Sequence, residues 1–238
     1  GVLGVGSSID RHALPSTQSN FGMLTLDKLQ LATGQVLSRS ATRPRRFRES
    51  VDLQIGLKDH AGRDVRAVSA KVNLPHVVRP NMRVGILGDE ADCAKARSLG
   101  LWCMSREELM ALNRNKKRIK RIFTFAADIF LASDTLIRRL PRLTGPTPCK
   151  LGKFPGVLQP DDDLELRVQE MRCFVKFWQR RRANCIGAAV GHTDMLQSEL
   201  NTNCIVAINF VVSTLNRHWR SVKSVNLKST MGKPVRLV

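Results

Sequence analysis

The acidic, sulfur-bearing and imidazole side chains of this 238-residue chain are spaced in ways that limit the chemistry open to them. Four acids stand within five positions in "DDDLE" (161–165), a density that suits divalent-metal or acid–base work. They open a helical pattern, however, where negative charge stabilises the positive end of the helix dipole. No second acidic cluster or histidine partner accompanies them. Six cysteines (93, 103, 149, 173, 185, 204) include no CxxC pair, and five histidines are equally dispersed. Zinc needs ligands in short paired spacings to close its tetrahedron, so no metal site is expected. "VGILGD" (84–89) supplies Gly85 and Gly88 but no third, helix-opening glycine, so it reads as a fold element and not as a dinucleotide fingerprint. GxSxG, the Walker loop and HExxH do not occur. The expectation is a non-enzyme without cofactor.

Charge points elsewhere. Lys and Arg number 39 against 20 Asp and Glu, a net +19. Such self-repulsion weakens a compact state unless a polyanion neutralises it, and nucleic acid is the favoured partner. A membrane is not: the apolar runs at 122–132 and 204–212 are about half the ~20 residues a spanning helix needs. Four stretches present cations. In "RPRRFRES" (43–50), four arginines surround Phe47, offering phosphate donors and one aromatic face. "QRRRAN" (179–184) reads as a hairpin tip whose Arg180, Arg181 and Arg182 meet phosphate. "NRNKKRIKR" (113–121) is equally a nucleic-acid or import patch and a solvated helix face. "KSTMGKP" (228–234) sets small uncharged residues between Lys228 and Lys233.

The elements that must position these residues fall into three textures. From Met23, with Thr25 as N-cap, Leu26, Leu29, Thr33 and Leu37 predict a helix. Val51, Leu53, Ile55 and Leu57 alternate as a half-buried strand, and a second strand is expected over Val65–Leu74. Beyond Pro75 and Pro80 the pattern becomes strand–helix: a strand ending at Gly88, helices over 91–99 and 105–121, a strand closing the run at 132, and a helix over Asp134–Leu140. That alternation predicts a small parallel sheet covered on both faces. A Gly/Pro-rich stretch (144–156) closes the block. The final third returns to the first texture: a short helix after Asp161, strands "CFVKFW" and "CIGAAV", a long helix from Gln197 to His218, and the strand "VKSVNLKS". The fold class is therefore α/β with two domains. A discontinuous terminal domain with an antiparallel sheet spans 23–79 and 158–238, and an inserted Rossmann-like domain with a parallel sheet spans 80–157. Residues 1–22 read as a disordered extension, or as sequence upstream of the true start.

The order of motifs resembles the ribosomal protein L-one family, in its eukaryotic L-ten-a form. It rests on "FRESVDLQI" (47–55), "ILGD" (86–89), "LNRNKK" (112–117), "LPR-TGP" (140–146), "GKFP" (152–155), "AVGH" (189–192) and "KSTMGKP" (228–234). The chain departs from the family's pattern at Thr144, at 147–149 and at Leu196, and keeps its Asn203. The resemblance implies a structural, RNA-binding constituent of the large ribosomal subunit, on the mobile stalk beside the tRNA exit site. It also implies contact with large-subunit ribosomal RNA and transiently with tRNA, no membrane and no homo-oligomer. The expected location is the cytoplasmic ribosome, with assembly in the nucleolus. The RNA-binding residues it implies are Arg46, Phe47, Glu49, Ser50, Ser229, Thr230, Met231 and Gly232; Arg43, Arg45, Lys228 and Lys233 beside them are read as adding charge, with His192 and Arg180–Arg182 as secondary contacts. On this reading Thr230 meets a 2′-hydroxyl, Met231 packs on a sugar or base, and Gly232 lets backbone lie against RNA. Hinges are expected near Pro75–Pro80 and Gly156–Pro160. The alternatives are a divergent paralogue acting in ribosome assembly, and a nucleotide-dependent enzyme.

Overall fold

A computed structural model describes residues 25–58, 69–160, 162–179, 183–215 and 217–238. The expected extension (1–22), the start of the second strand and Arg180–Arg182 lie outside the described residues. In chain order the elements are α1 (Leu26–Thr42), β1 (Ser50–Leu57), β2 (Ser69–Asn73), β3 (Val84–Gly88), α2 (Glu90–Ser98), β4 (Trp102–Ser105), α3 (Arg106–Ala111), α4 (Lys116–Phe125), β5 (Ile129–Ser133), α5 (Asp134–Ile137), α6 (Leu140–Thr144), α7 (Thr147–Lys150) and β6 (Gly156–Leu158). There follow α8 (Leu164–Cys173), β7 (Phe174–Trp178), β8 (Cys185–His192), α9 (Gln197–Thr214), a 3₁₀ turn (His218–Ser221), β9 (Val222–Ser229) and β10 (Val235–Arg236).

The chain ends build one unit. Its sheet has the order β10-β9-β1-β8, antiparallel throughout, because β1 finds β8 and β9 on its two sides. The alternation of β1 turns Val51, Leu53, Ile55 and Leu57 into a core shared with α1 and α9. In α1 the buried stripe is Leu29, Ala32, Thr33 and Val36, while Leu26 is exposed. α1 is tied to α9 where Asn201 Oδ1 accepts from the Thr33 hydroxyl at 2.8 Å. β2 and β7 form a separate antiparallel ribbon whose Val175 and Phe177 enter the same core. The expected pairing of "CFVKFW" with "CIGAAV" is thus corrected: β7 takes β2, and β8 takes β1.

The middle of the chain builds the parallel sheet, in the order β4-β3-β5-β6. Leu109, Ile119, Phe123, Leu136 and Leu140 cover one face. Ala96, Leu164 and Val168 cover the other. Both glycines of "VGILGD" have packing reasons. A Cβ on Gly85 would come within 2.9 Å of both Trp102 and Phe130, and one on Gly88 within 2.8 Å of Asp92. The helix expected over 105–121 is two helices. Ser105 and Glu108 close a capping box on α3, then Asn113 (φ 44°) and Arg114 (φ 56°) turn left-handed. Asn115 restarts the helix by accepting from the Lys117 and Arg118 N–H groups. The helix expected over Asp134–Leu140 is likewise divided into α5 and α6, and the long helix ends at Thr214.

Two passages join the units, and they touch. Leu74 N–H donates to Cys173 O at 3.1 Å and Arg79 N–H to Arg172 O at 3.4 Å. Leu158 pairs with Ser133 in the parallel sheet, and α8 packs in the core of that sheet. Gly156 and Val157 thus belong to an edge strand, with a Gly156 Cβ position 3.3 Å from Leu131. No helix among the described residues is long and apolar enough to cross a membrane.

Candidate nucleic-acid interface

The site lies where three strand ends converge. Register sets Ser50, the first residue of β1, against His192, the last of β8, and Val51 against Ser229, the last of β9. The loop after β9 is then fastened to β1 by a reciprocal clasp. Ser50 N–H donates to Thr230 Oγ1 at 3.0 Å, Thr230 N–H donates to Ser50 O at 3.0 Å, and the two hydroxyls stand 3.0 Å apart. The Ser50 hydroxyl also donates to Asp52 at 3.1 Å. The arginine-rich segment before β1 and the Ser-Thr-Met-Gly turn thus share one end of the sheet, with Thr193 N–H to Glu49 O (3.0 Å) adding the third strand end.

The predicted residues divide by exposure. Arg43, Arg46 and Lys233 are exposed; Phe47 is 53% and Met231 58% exposed, so neither apolar side chain fills the core. Arg45, Ser50, Lys228, Thr230, Gly232 and His192 are half-buried. Glu49 and Ser229 are buried, at 4% and 2%. The Thr230 hydroxyl is engaged within the protein, so its first task is holding the loop. Gly232 also has an internal reason: its N–H closes the turn onto Ser229 O at 3.2 Å, and a Cβ would lie 2.4 Å from Ser229 Oγ.

Charge around the site is arranged and not merely dense. Arg45 lies 3.7 Å from Glu49 Oε1, and Arg48 is paired with Asp194. Glu49 Oε2 is buried without a hydrogen-bond partner, and so is His192 Nδ1. Burial pushes the His192 pKa below its usual value, Arg48 adds to the effect, and Asp194 and Glu199 oppose it. Glu49 lines two clefts, one of about 380 Å³ reaching Arg79, Asn81 and Asp128, the other of about 540 Å³ reaching Arg46, Phe47 and Asp194. Arg48, Arg79 and Asn81 were not singled out in the sequence. Arg48 sat in the arginine run as a visible signal; Arg79 and Asn81 come from the passage between units, which carries no local signature.

Behind the site, the buried Asn203 amide braces it. Its Oδ1 accepts from His76 N–H (3.1 Å), and its Nδ2 donates to His76 O (3.2 Å) and Val190 O (3.0 Å). Leu196 at the start of α9 has no side-chain acceptor to offer. Glu199 satisfies only the Leu196 N–H, at 3.3 Å. Among the described residues no cluster of three His, Cys, Asp or Glu side chains is grouped to hold a metal ion. The arrangement can donate to phosphate through Arg43, Arg46 and Lys233 and stack through Phe47.

The profile of the Ribosomal protein L1p/L10e family matches residues 37–233. The "Large ribosomal subunit protein uL1" of Spodoptera frugiperda is 42% identical over 211 residues, covering 89% of this chain and 96% of that protein. Its counterpart in Caenorhabditis elegans is 41% identical, covering 89% and 97%. "Large ribosomal subunit protein uL1A" of Schizosaccharomyces pombe is 43% identical over 202 residues, covering 85% and 93%. With these matches spanning both units, the chain belongs to the Ribosomal protein L1p/L10e family.

Proposed function

We propose that the chain is a structural, non-catalytic constituent of the large ribosomal subunit, holding ribosomal RNA of the mobile stalk on the end of its antiparallel sheet. The observation that carries this reading is the Ser50–Thr230 clasp, which brings the arginine segment and the Met231 turn onto one surface. Phe47 and Met231 supply apolar contact to sugar and base, Arg43, Arg46, Lys228 and Lys233 neutralise phosphate, and Glu49 orients Arg45 beneath them. Ser229, Thr230 and Gly232 shape that surface from within.

The paired passages at Leu74–Arg79 and Arg172–Cys173 are the hinge on which the parallel-sheet unit swings, and the domain boundary on the return lies near Cys173. The swinging unit meets tRNA at the exit site through Lys116, Lys120 and Lys150, which border one groove. The protein acts as a single copy, on cytoplasmic ribosomes, after assembly in the nucleolus.

The test is filter binding of the full chain to a stem-loop of stalk ribosomal RNA across a salt series. Binding tighter than to a scrambled duplex at every salt concentration is expected. Equal affinity for the two would overturn the reading. Sedimentation with large subunits at high salt is expected of a resident protein, and release from them would favour an assembly role.

A further inference from the structure

We infer that the solvent face of the β2–β7 ribbon is a second RNA-binding surface, one that takes an unpaired strand. Ladder register sets Ser69 against Trp178, Lys71 against Lys176, and Asn73 against Phe174. All six side chains lie on the face opposite the core, since Ala70, Val175 and Phe177 between them are buried. Two lysines directly opposite each other in an antiparallel ladder repel. None of the six is acidic, and neither lysine joins an ion pair among the described residues. The repulsion is relieved by an anion shared between the two ammonium groups.

Aromatics flank that anion position along β7. Trp178 is 55% exposed on one side, and Phe174 is half-buried on the other with Lys71 Nζ 5.9 Å from its ring centre. The two rings are roughly 13 Å apart by strand rise. A ring, a pair of cations and a second ring in line match the needs of a single strand, whose bases stack and whose phosphates sit between them. A duplex cannot use the rings, because its bases are already stacked. The choice of RNA over DNA rests on the function proposed above; the surface itself does not share residues with the Ser50–Thr230 site.

The test uses the full chain and an oligouridylate of roughly a dozen nucleotides, read by fluorescence anisotropy across a salt series. Lys71→Glu turns the repelling pair into an attracting one, so the fold holds while the anion position is filled. It is expected to weaken binding about tenfold and to reduce the slope of log K against log salt by about 0.7, for the one shared phosphate. Trp178→Thr is expected to weaken binding about tenfold with the slope unchanged. Met231→Glu is expected to change oligouridylate affinity by less than about twofold while lowering stem-loop affinity roughly 100-fold. Affinities within about twofold of the parent for both ribbon variants would overturn the inference. So would equal loss in Met231→Glu, or competition by polyglutamate as effective as by RNA.

Discussion

β1 pairs Ser50 with His192 and Val51 with Ser229, whereas β3 pairs Gly85 with Trp102 and Val84 with Ile129. The terminal unit is thus closed by contacts between chain ends, and the Ser50–Thr230 bond spans 180 positions. The inserted unit is closed by neighbours, each parallel strand reached through a short helical crossover. Long closures carry a loop entropy that must be met before the contacts return anything. The basic surfaces differ accordingly: the lysine groove of the inserted unit is set by two helices about 30 positions apart, α4 and α7, while the candidate RNA surface exists only where three distant strand ends meet.

The largest expected effect comes from Met231→Glu, which puts a carboxylate at the centre of the interface. Stem-loop affinity should fall roughly 100-fold in filter binding, as for the loss of a central hot spot, with the melting temperature unchanged. Lys116→Glu with Lys120→Glu on the inserted unit should change it by less than about threefold. Equal losses in the two proteins would break the comparison. Gly232 is a poorer probe, because any Cβ there meets Ser229 and confounds contact with folding.

Next in size is Asn203→Leu, which leaves His76 N–H, His76 O and Val190 O without their shared partner. A loss of about 2–4 kcal/mol confined to the terminal unit is expected. Denaturation should then show two transitions, with Trp102 reporting the inserted unit when Trp178 and Trp219 are replaced by Phe. A single transition would show that the units unfold as one. Thr230→Val is milder, about 1–2 kcal/mol by urea titration, since it removes the acceptor of Ser50 N–H while keeping shape. Stem-loop affinity should drop with it, because the loop loses its fastening.

The smallest effect is a pH dependence from His192. Its pKa is lowered from 6.5 by burial first and Arg48 second. Below about pH 6.5 the unfolded chain therefore binds more protons than the native one. Stability should decline as pH falls from there through the folded value and level off below it. His192→Gln should flatten that segment of a urea-midpoint profile against pH.

Much of this was readable in the sequence because it depends on local pattern. The alternation in β1 and the change of texture beyond Pro80 are one-dimensional signals, and each has its counterpart in space. Pairing was not readable. "CFVKFW" alternates in the same way whether its neighbour is β8 or β2, so adjacency in sequence suggested the wrong partner. The break at Asn113–Arg114 was hidden because helical spacing of Leu109, Leu112, Ile119 and Ile122 runs across it undisturbed. For the site, residue types gave the cations and Phe47. What they could not give is that the Thr230 hydroxyl faces inward, since that requires knowing that Ser50 lies opposite.

The clasp between Ser50 and Thr230 also has a consequence in time. A ribosome making this protein releases residue 50 long before residue 230, so the growing copy is blind to its target while everything between them is made. Only when β9 has cleared the exit tunnel can the grip close, and unfinished copies are barred from occupying the place meant for a finished one.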